Sequence, residues 1–165
     1  MNIPLIERIK VHAQVLVPLV KTLQAELGEE QANRLVQKAL GDLYRELGSK
    51  WWKTQGAQEF GDKMAAAFGA FAAGDALQYD VLKKTPNAFD VNVIGCRYAK
   101  FYKDIGAPEL GFLLVCSADL AMAQGYDAKV QLTRTQTIMQ GATHCDFRYR
   151  LDAGEKTSKE TAQSA

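Results

Sequence analysis

The feature that most constrains this chain is a change of hydrophobic period at Gly74. Before it, apolar residues recur every three to four positions; after it, they alternate. A chain patterned in this way builds helices first and strands afterwards, and must bury the apolar side of each against the other. The first helix is expected from residue 4 to about 27, with Ile6, Ile9, Ala13, Leu16, Leu19, Val20 and Leu23 inward. Pro18 should kink it and Gly28 should stop it. A second helix is expected from about Glu29 to Leu47, with Ala32, Leu35, Val36, Ala39, Leu40 and Leu43 inward and Gly48–Ser49 as its end. Trp51 and Trp52 follow and are read as cover for an apolar seam. A third helix spans about Ala57 to Ala73, with Phe60, Met64, Phe68 and Phe71 as its core stripe.

Beyond Gly74, Ala76–Thr85 alternates with Leu77, Tyr79 and Val81 on one face. Pro86 and Asn87 turn the chain, and Ala88–Gly95 alternates with Phe89, Val91 and Val93, so the two segments should pair as a hairpin. A short helix is expected from Cys96 to about Ile105. A longer one should start at Pro108, a residue suited to the first helical position, and run to about Met122. Lys129–Gln136 and Cys145–Leu151 read as two more strands. The expectation is an α+β fold: N-terminal helices packed on one face of a four-stranded antiparallel sheet, with the order β-β-α-α-β-β in the C-terminal half. The domain should span residues 1–153. Residues 154–165 (GEKTSKETAQSA) lack apolar residues larger than alanine and read as a disordered polar tail.

A formal net charge of +1 offers no electrostatic footprint for nucleic acid or an acidic membrane. No apolar run approaches the ~18 residues a membrane span requires. The opening MNIPLIERIK places charges before any apolar block, unlike a secretory signal. A cytoplasmic protein that binds a small molecule is the expectation, with a homodimer as the default assembly. Three cysteines without a signal sequence argue against a disulfide framework.

All three cysteines lie in the C-terminal half. Cys116 and Asp119 are three apart on an expected helix and share a side. Cys96 begins the preceding helix, where backbone N–H groups can stabilise a thiolate. Cys145 shares the apolar face of the last strand with Phe147 and Tyr149, leaving His144, Asp146 and Arg148 opposite. Such a set allows covalent catalysis by a cysteine with a carboxylate managing protons. It also allows three unrelated core cysteines. No cofactor is expected, although thiolates and a carboxylate could hold zinc; the chain has no C-x-x-C pair and no close His pair to support that. His144 adjoins Cys145 and would pair with it only if a bulge near Gly141 broke the alternation. Arg97, Arg134 and Arg148 are candidates to grip a carboxylate by two parallel hydrogen bonds. The G-x-G-x-x-G, Walker A, G-x-S-x-G and H-E-x-x-H motifs are absent.

At CRYAKFYKDIGAPELGFLLVCSAD, followed by LTRTQTIMQGATHCDFRY, the sequence resembles the L-2-amino-thiazoline-4-carboxylic acid hydrolase family. The matching features are Cys96 with Tyr98, Gly106–Glu109–Leu110, Cys116 with Asp119, and Gly141 ahead of Cys145–Asp146–Phe147–Arg148. The resemblance implies hydrolytic opening of a carboxylate-bearing cyclic isothiourea to N-carbamoyl-L-cysteine. It implies Cys116 or Cys145 as nucleophile or water-positioning group, Asp119 as acid–base, and Tyr98 and Asp146 beside the arginines in binding substrate. The order of elements is also similar to small-molecule sensor domains of the 4-vinyl reductase type, which implies a ligand-binding module without turnover.

Overall fold

The computed structural model describes residues 3–152; the proposed C-terminal tail lies outside them. Helix α1 (Leu5–Leu27) passes through Pro18 and ends at Gly28, whose φ of 81° suits glycine. Its inward face is Ile6, Ala13 and Val20, while Leu19 points outward at 51% exposure, contrary to its expected inward place. Helix α2 (Glu29–Thr54) continues well past the expected stop at Gly48. The reason is packing. A Cβ on Gly48 would lie 2.4 Å from the Met122 carbonyl oxygen, so this glycine admits a neighbouring backbone and does not end the helix. Leu35, Ala39 and Leu43 are exposed rather than inward. Helix α2 instead buries Ala32 and Val36, packed on α1, and Gly48 against Met122. Trp51 and Trp52 lie in its last turns and cover a seam, with ring centroids 5.2 and 5.6 Å from Tyr126. Helix α3 (Phe60–Ala72) buries Phe60, Met64 and Phe68; Phe71 is half-buried.

Strands β1 (Leu77–Thr85) and β2 (Ala88–Cys96) form the expected hairpin. Register shifts between Gln78 and Tyr79 and between Val81 and Lys83 break the alternation of β1, and Val81 is left exposed. Helix α4 (Arg97–Asp104) follows directly. The single helix expected from Pro108 is three pieces: α5 (Pro108–Gly111), a π-helical turn (Phe112–Cys116) and α6 (Ala118–Tyr126). Ser117 N–H donates to Phe112 O at 2.9 Å, the i→i+5 bond that widens the turn. Strand β3 is short (Val130–Thr133), and β4 runs Cys145–Leu151. The sheet is antiparallel with order β1-β2-β4-β3. Its inner face carries Phe89, Val91, Val93, Cys145, Phe147 and Tyr149 against α3 and α6. A second core lies between α1, α4, α5 and the π turn. No helix among the described residues is long and apolar enough to cross a membrane.

Candidate acid–base site under the helical layer

Asp119 sits in the first turn of α6, and Arg134 immediately follows β3. Arg134 Nη1 donates to Asp119 Oδ2 at 2.5 Å, and Nη2 donates to the Cys116 carbonyl at 3.0 Å. The guanidinium is sandwiched between aromatic rings, with Cζ 5.3 Å from the Phe147 centroid and 6.0 Å from that of Phe112. The arginine side chain is 5% exposed and that of Asp119 26%, so the pair is largely desolvated while the carboxylate keeps an open edge. Desolvation pushes the Asp119 carboxyl up to about 6, against the opposing pull of Arg134. Such a group holds and releases a proton close to neutral pH.

The three thiols lie near enough to this pair that each feels the Asp119 charge. Cys116 ends the π turn, and Cys145 opens β4 opposite Val93. Cys96 caps α4, its Sγ accepting the Ala99 N–H at 3.4 Å; Cys145 Sγ accepts the Ile138 N–H at 3.2 Å. Burial pushes all three thiols up, and the charge of Asp119 adds to it. Backbone N–H groups pull Cys96 and Cys145 the other way and do not prevail. The low-pKa thiolate expected at the start of α4 is therefore not what this environment produces. All three cysteines are free, and no three His, Cys, Asp or Glu side chains among the described residues group to hold a metal ion.

The remaining candidates lie around the site, not in it. His144 precedes β4, with the Gln136 amide nitrogen 3.1 Å from Nε2 and the Thr143 hydroxyl 3.1 Å from Nδ1. Asp146, on the outer face of β4, accepts the Thr135 and Gln136 N–H groups, each at 2.9 Å, and the Thr135 hydroxyl at 2.6 Å. Desolvation pushes its carboxyl up, but these hydrogen bonds outweigh it and hold the group below the ordinary range. It thereby anchors the segment that carries Arg134. Arg148 donates to Val91 O, Phe147 O and Asn92 Oδ1 on the outer sheet face. Arg97 is exposed and donates to Gly74 O at 2.6 Å. Tyr98 is buried, and its hydroxyl donates to Phe71 O at 2.9 Å, tying α4 to α3.

Sequence reasoning missed three tyrosines. Tyr44 of α2, Tyr126 of α6 and Tyr149 of β4 all feel the Asp119 charge, and burial raises each phenol first. The i, i+7 spacing of Asp119 and Tyr126 puts them on one helix face, and Tyr149 follows Cys145 and Phe147 along theirs, so both signals were present. Tyr44 had none; it arrives by the crossing of α2 over α6.

Fold and site together define an α+β domain built over a buried carboxylate–guanidinium pair flanked by protonated thiols. The chain belongs to the L-2-amino-thiazoline-4-carboxylic acid hydrolase family, whose model matches residues 8–149. No curated protein matches it. Among solved structures, it is similar in fold to the phenol-responsive sensory domain of the transcription activator PoxR with phenol, at a TM-score of 0.54. That likeness covers 82% of this chain and 72% of the other at 12% identity.

Proposed function

We propose that this protein is a hydrolase that opens a small carboxylate-bearing heterocycle such as L-2-amino-thiazoline-4-carboxylate, with Asp119 as its acid–base. The observation that carries this reading is the Asp119 carboxyl, raised to about 6 and held by Arg134, in a chain of this family. Water is the nucleophile, because burial keeps Cys96, Cys116 and Cys145 protonated. The Asp119 carboxylate takes a proton from water as its oxygen bonds the ring carbon between nitrogen and sulfur. The C–S bond then breaks with its electron pair going to sulfur. One proton of the water ends on the ring nitrogen and the other on the sulfur, giving N-carbamoyl-L-cysteine. Cys116 and Cys145 shape the wall beside the reacting carbon, and Asp146 keeps the Arg134 segment in place.

The test is a mass-spectrometric assay of purified protein with this substrate, with and without a chelator. Product in both arms supports the reading; no product from folded protein removes it.

A second reading, a module that binds a small planar ligand without converting it, is favoured by the fold shared with a phenol-responsive sensory domain. Saturable binding without turnover is its signature.

A further inference from the structure

We infer that the outward face of α1 is a dimerisation surface, on which a second copy of this chain lays its own α1 antiparallel. The inference is independent of the hydrolase reading. Inward, α1 presents Ile6, Ala13 and Val20 to the core. On the opposite side, Val11, Val15 and Leu19 are 61%, 67% and 51% exposed. Arg8 precedes them, and Thr22 and Glu26 follow, all exposed. The six residues succeed one another at steps of three or four, so they form one straight line along the helix. From Arg8 to Glu26 that line is about 27 Å long. A surface helix ordinarily keeps its side away from the core polar, and a contiguous apolar line there marks an association surface. Residues 153–165 hold no apolar side chain larger than alanine, so that segment is no match for the line.

The charges at the two ends choose the occupant and its direction. Exposed charges on α2 and α4 pair along their own helices: Arg34 with Glu30, Lys38 with Asp42, Lys50 with Glu46 and Lys100 with Asp104. Arg8 and Glu26 form no ion pair among the described residues. Each also stands at the unfavourable end of the helix dipole. Arg8 lies near the positive N-terminus, and Glu26 lies in a last turn that has no basic residue. An antiparallel second α1 answers both. It sets Glu26 of one copy beside Arg8 of the other at each end, matches Val15 with Leu19 across the twofold axis, and opposes the two dipoles. A parallel mate would face Arg8 with Arg8 and Glu26 with Glu26. One helix seam is smaller than the ~800 Å² per partner of a standard interface, so the dimer should dissociate in the micromolar range.

Sedimentation velocity of the full chain, from about 1 µM to about 1 mM, reads the association directly. Wild type should pass from monomer to dimer over this range, and more weakly at high salt. Val15→Glu puts a charge at the middle of the seam and should leave monomer throughout. Its side chain is exposed in the single chain, so its circular dichroism and thermal midpoint should match wild type. Arg8→Glu should weaken the dimer about tenfold by facing two glutamates at each end, and adding Glu26→Arg should restore it. Leu43→Glu, on the exposed side of α2, should leave the dimer intact. Monomer at every concentration, or a dimer that survives Val15→Glu, would overturn the inference. So would a dimer lost in Leu43→Glu and kept in Val15→Glu, which would move the surface to α2. Failure of the double charge swap to restore association would overturn the antiparallel arrangement. Each readout is a mass, so loss of the hydrolase reading leaves the result standing.

Discussion

Asp119 and Arg134 meet at 2.5 Å although they belong to different elements, one in the first turn of α6 and the other just beyond β3. The contact joins the helical layer to the sheet at the point where the thiols gather. Its desolvation explains why a carboxyl beside a guanidinium is raised and not lowered. Burial costs the charged form more than the single charge-assisted hydrogen bond returns.

Replacing Asp119 by Asn keeps a hydrogen-bond acceptor for Arg134 and removes the titrating group. Turnover should fall by about 10²- to 10⁴-fold, the usual contribution of a positioned acid–base, while the circular dichroism spectrum is preserved. Wild-type rates in this variant would exclude Asp119 from the chemistry.

The rate should depend on pH in a direction the site dictates. Asp119 acts first as a base, so kcat/KM should rise through about pH 6 and then level. Stability runs the other way. With a folded-state pKa raised to about 6, Asp119 binds its proton more tightly folded than unfolded between roughly pH 4 and 6. Its contribution is present below the unfolded value and lost as pH rises through the folded one, by at most about 3 kcal/mol. Asp146, held low, has the opposite sign and stabilises above the ordinary carboxylate value. Denaturation midpoints of wild type and Asp119→Asn across pH 4–8 separate the two, and a parallel pair of curves would refute the assignment.

The thiols should label slowly. At pH 7.5, Cys96, Cys116 and Cys145 should react with iodoacetamide more slowly than free cysteine, since the thiolate is the reactive form and burial disfavours it. Site-resolved mass spectrometry reads each rate. One cysteine that labels faster than the free amino acid would restore covalent catalysis as the better mechanism.

Gly125→Ala should be severely destabilising. A Cβ there would lie 2.1 Å from the Arg45 carbonyl oxygen, so α2 and α6 would have to separate. A loss of about 1–3 kcal/mol or more is expected in urea denaturation, with turnover reduced because Asp119 rides on α6. An alanine variant as stable as wild type would mean that the crossing is looser than the close approach implies. Gly69, which has nothing within 4 Å, is the control position.

Much of this arrangement was legible beforehand. The inner faces of β2 and β4 follow directly from alternation, as do the hairpin and the start of the helix at Pro108. The i, i+3 spacing of Cys116 and Asp119 and the inward face of Cys145 were legible, but their approach to one another depended on how the helices pack on the sheet. Other residues misled for identifiable reasons. Gly48 resembles a helix stop, but its bare Cα serves a close crossing. Leu35 and Leu43 have the spacing of a buried stripe, yet no neighbour covers them and they are exposed. The arginines looked alike in sequence, and only their partners separate Arg134 from Arg97 and Arg148.

The sequence by itself determined the order of elements, the α+β class and which side of each inner strand is apolar. Those properties come from the chain's own periodicity and need no knowledge of what lies across the gap. Tertiary structure alone decided that Arg134 belongs to Asp119 and that burial keeps the thiols protonated. Charge state and hydrogen bonding depend on how much solvent the neighbouring elements exclude, and that is set by the close crossing of α2 over α6 and their packing on the sheet.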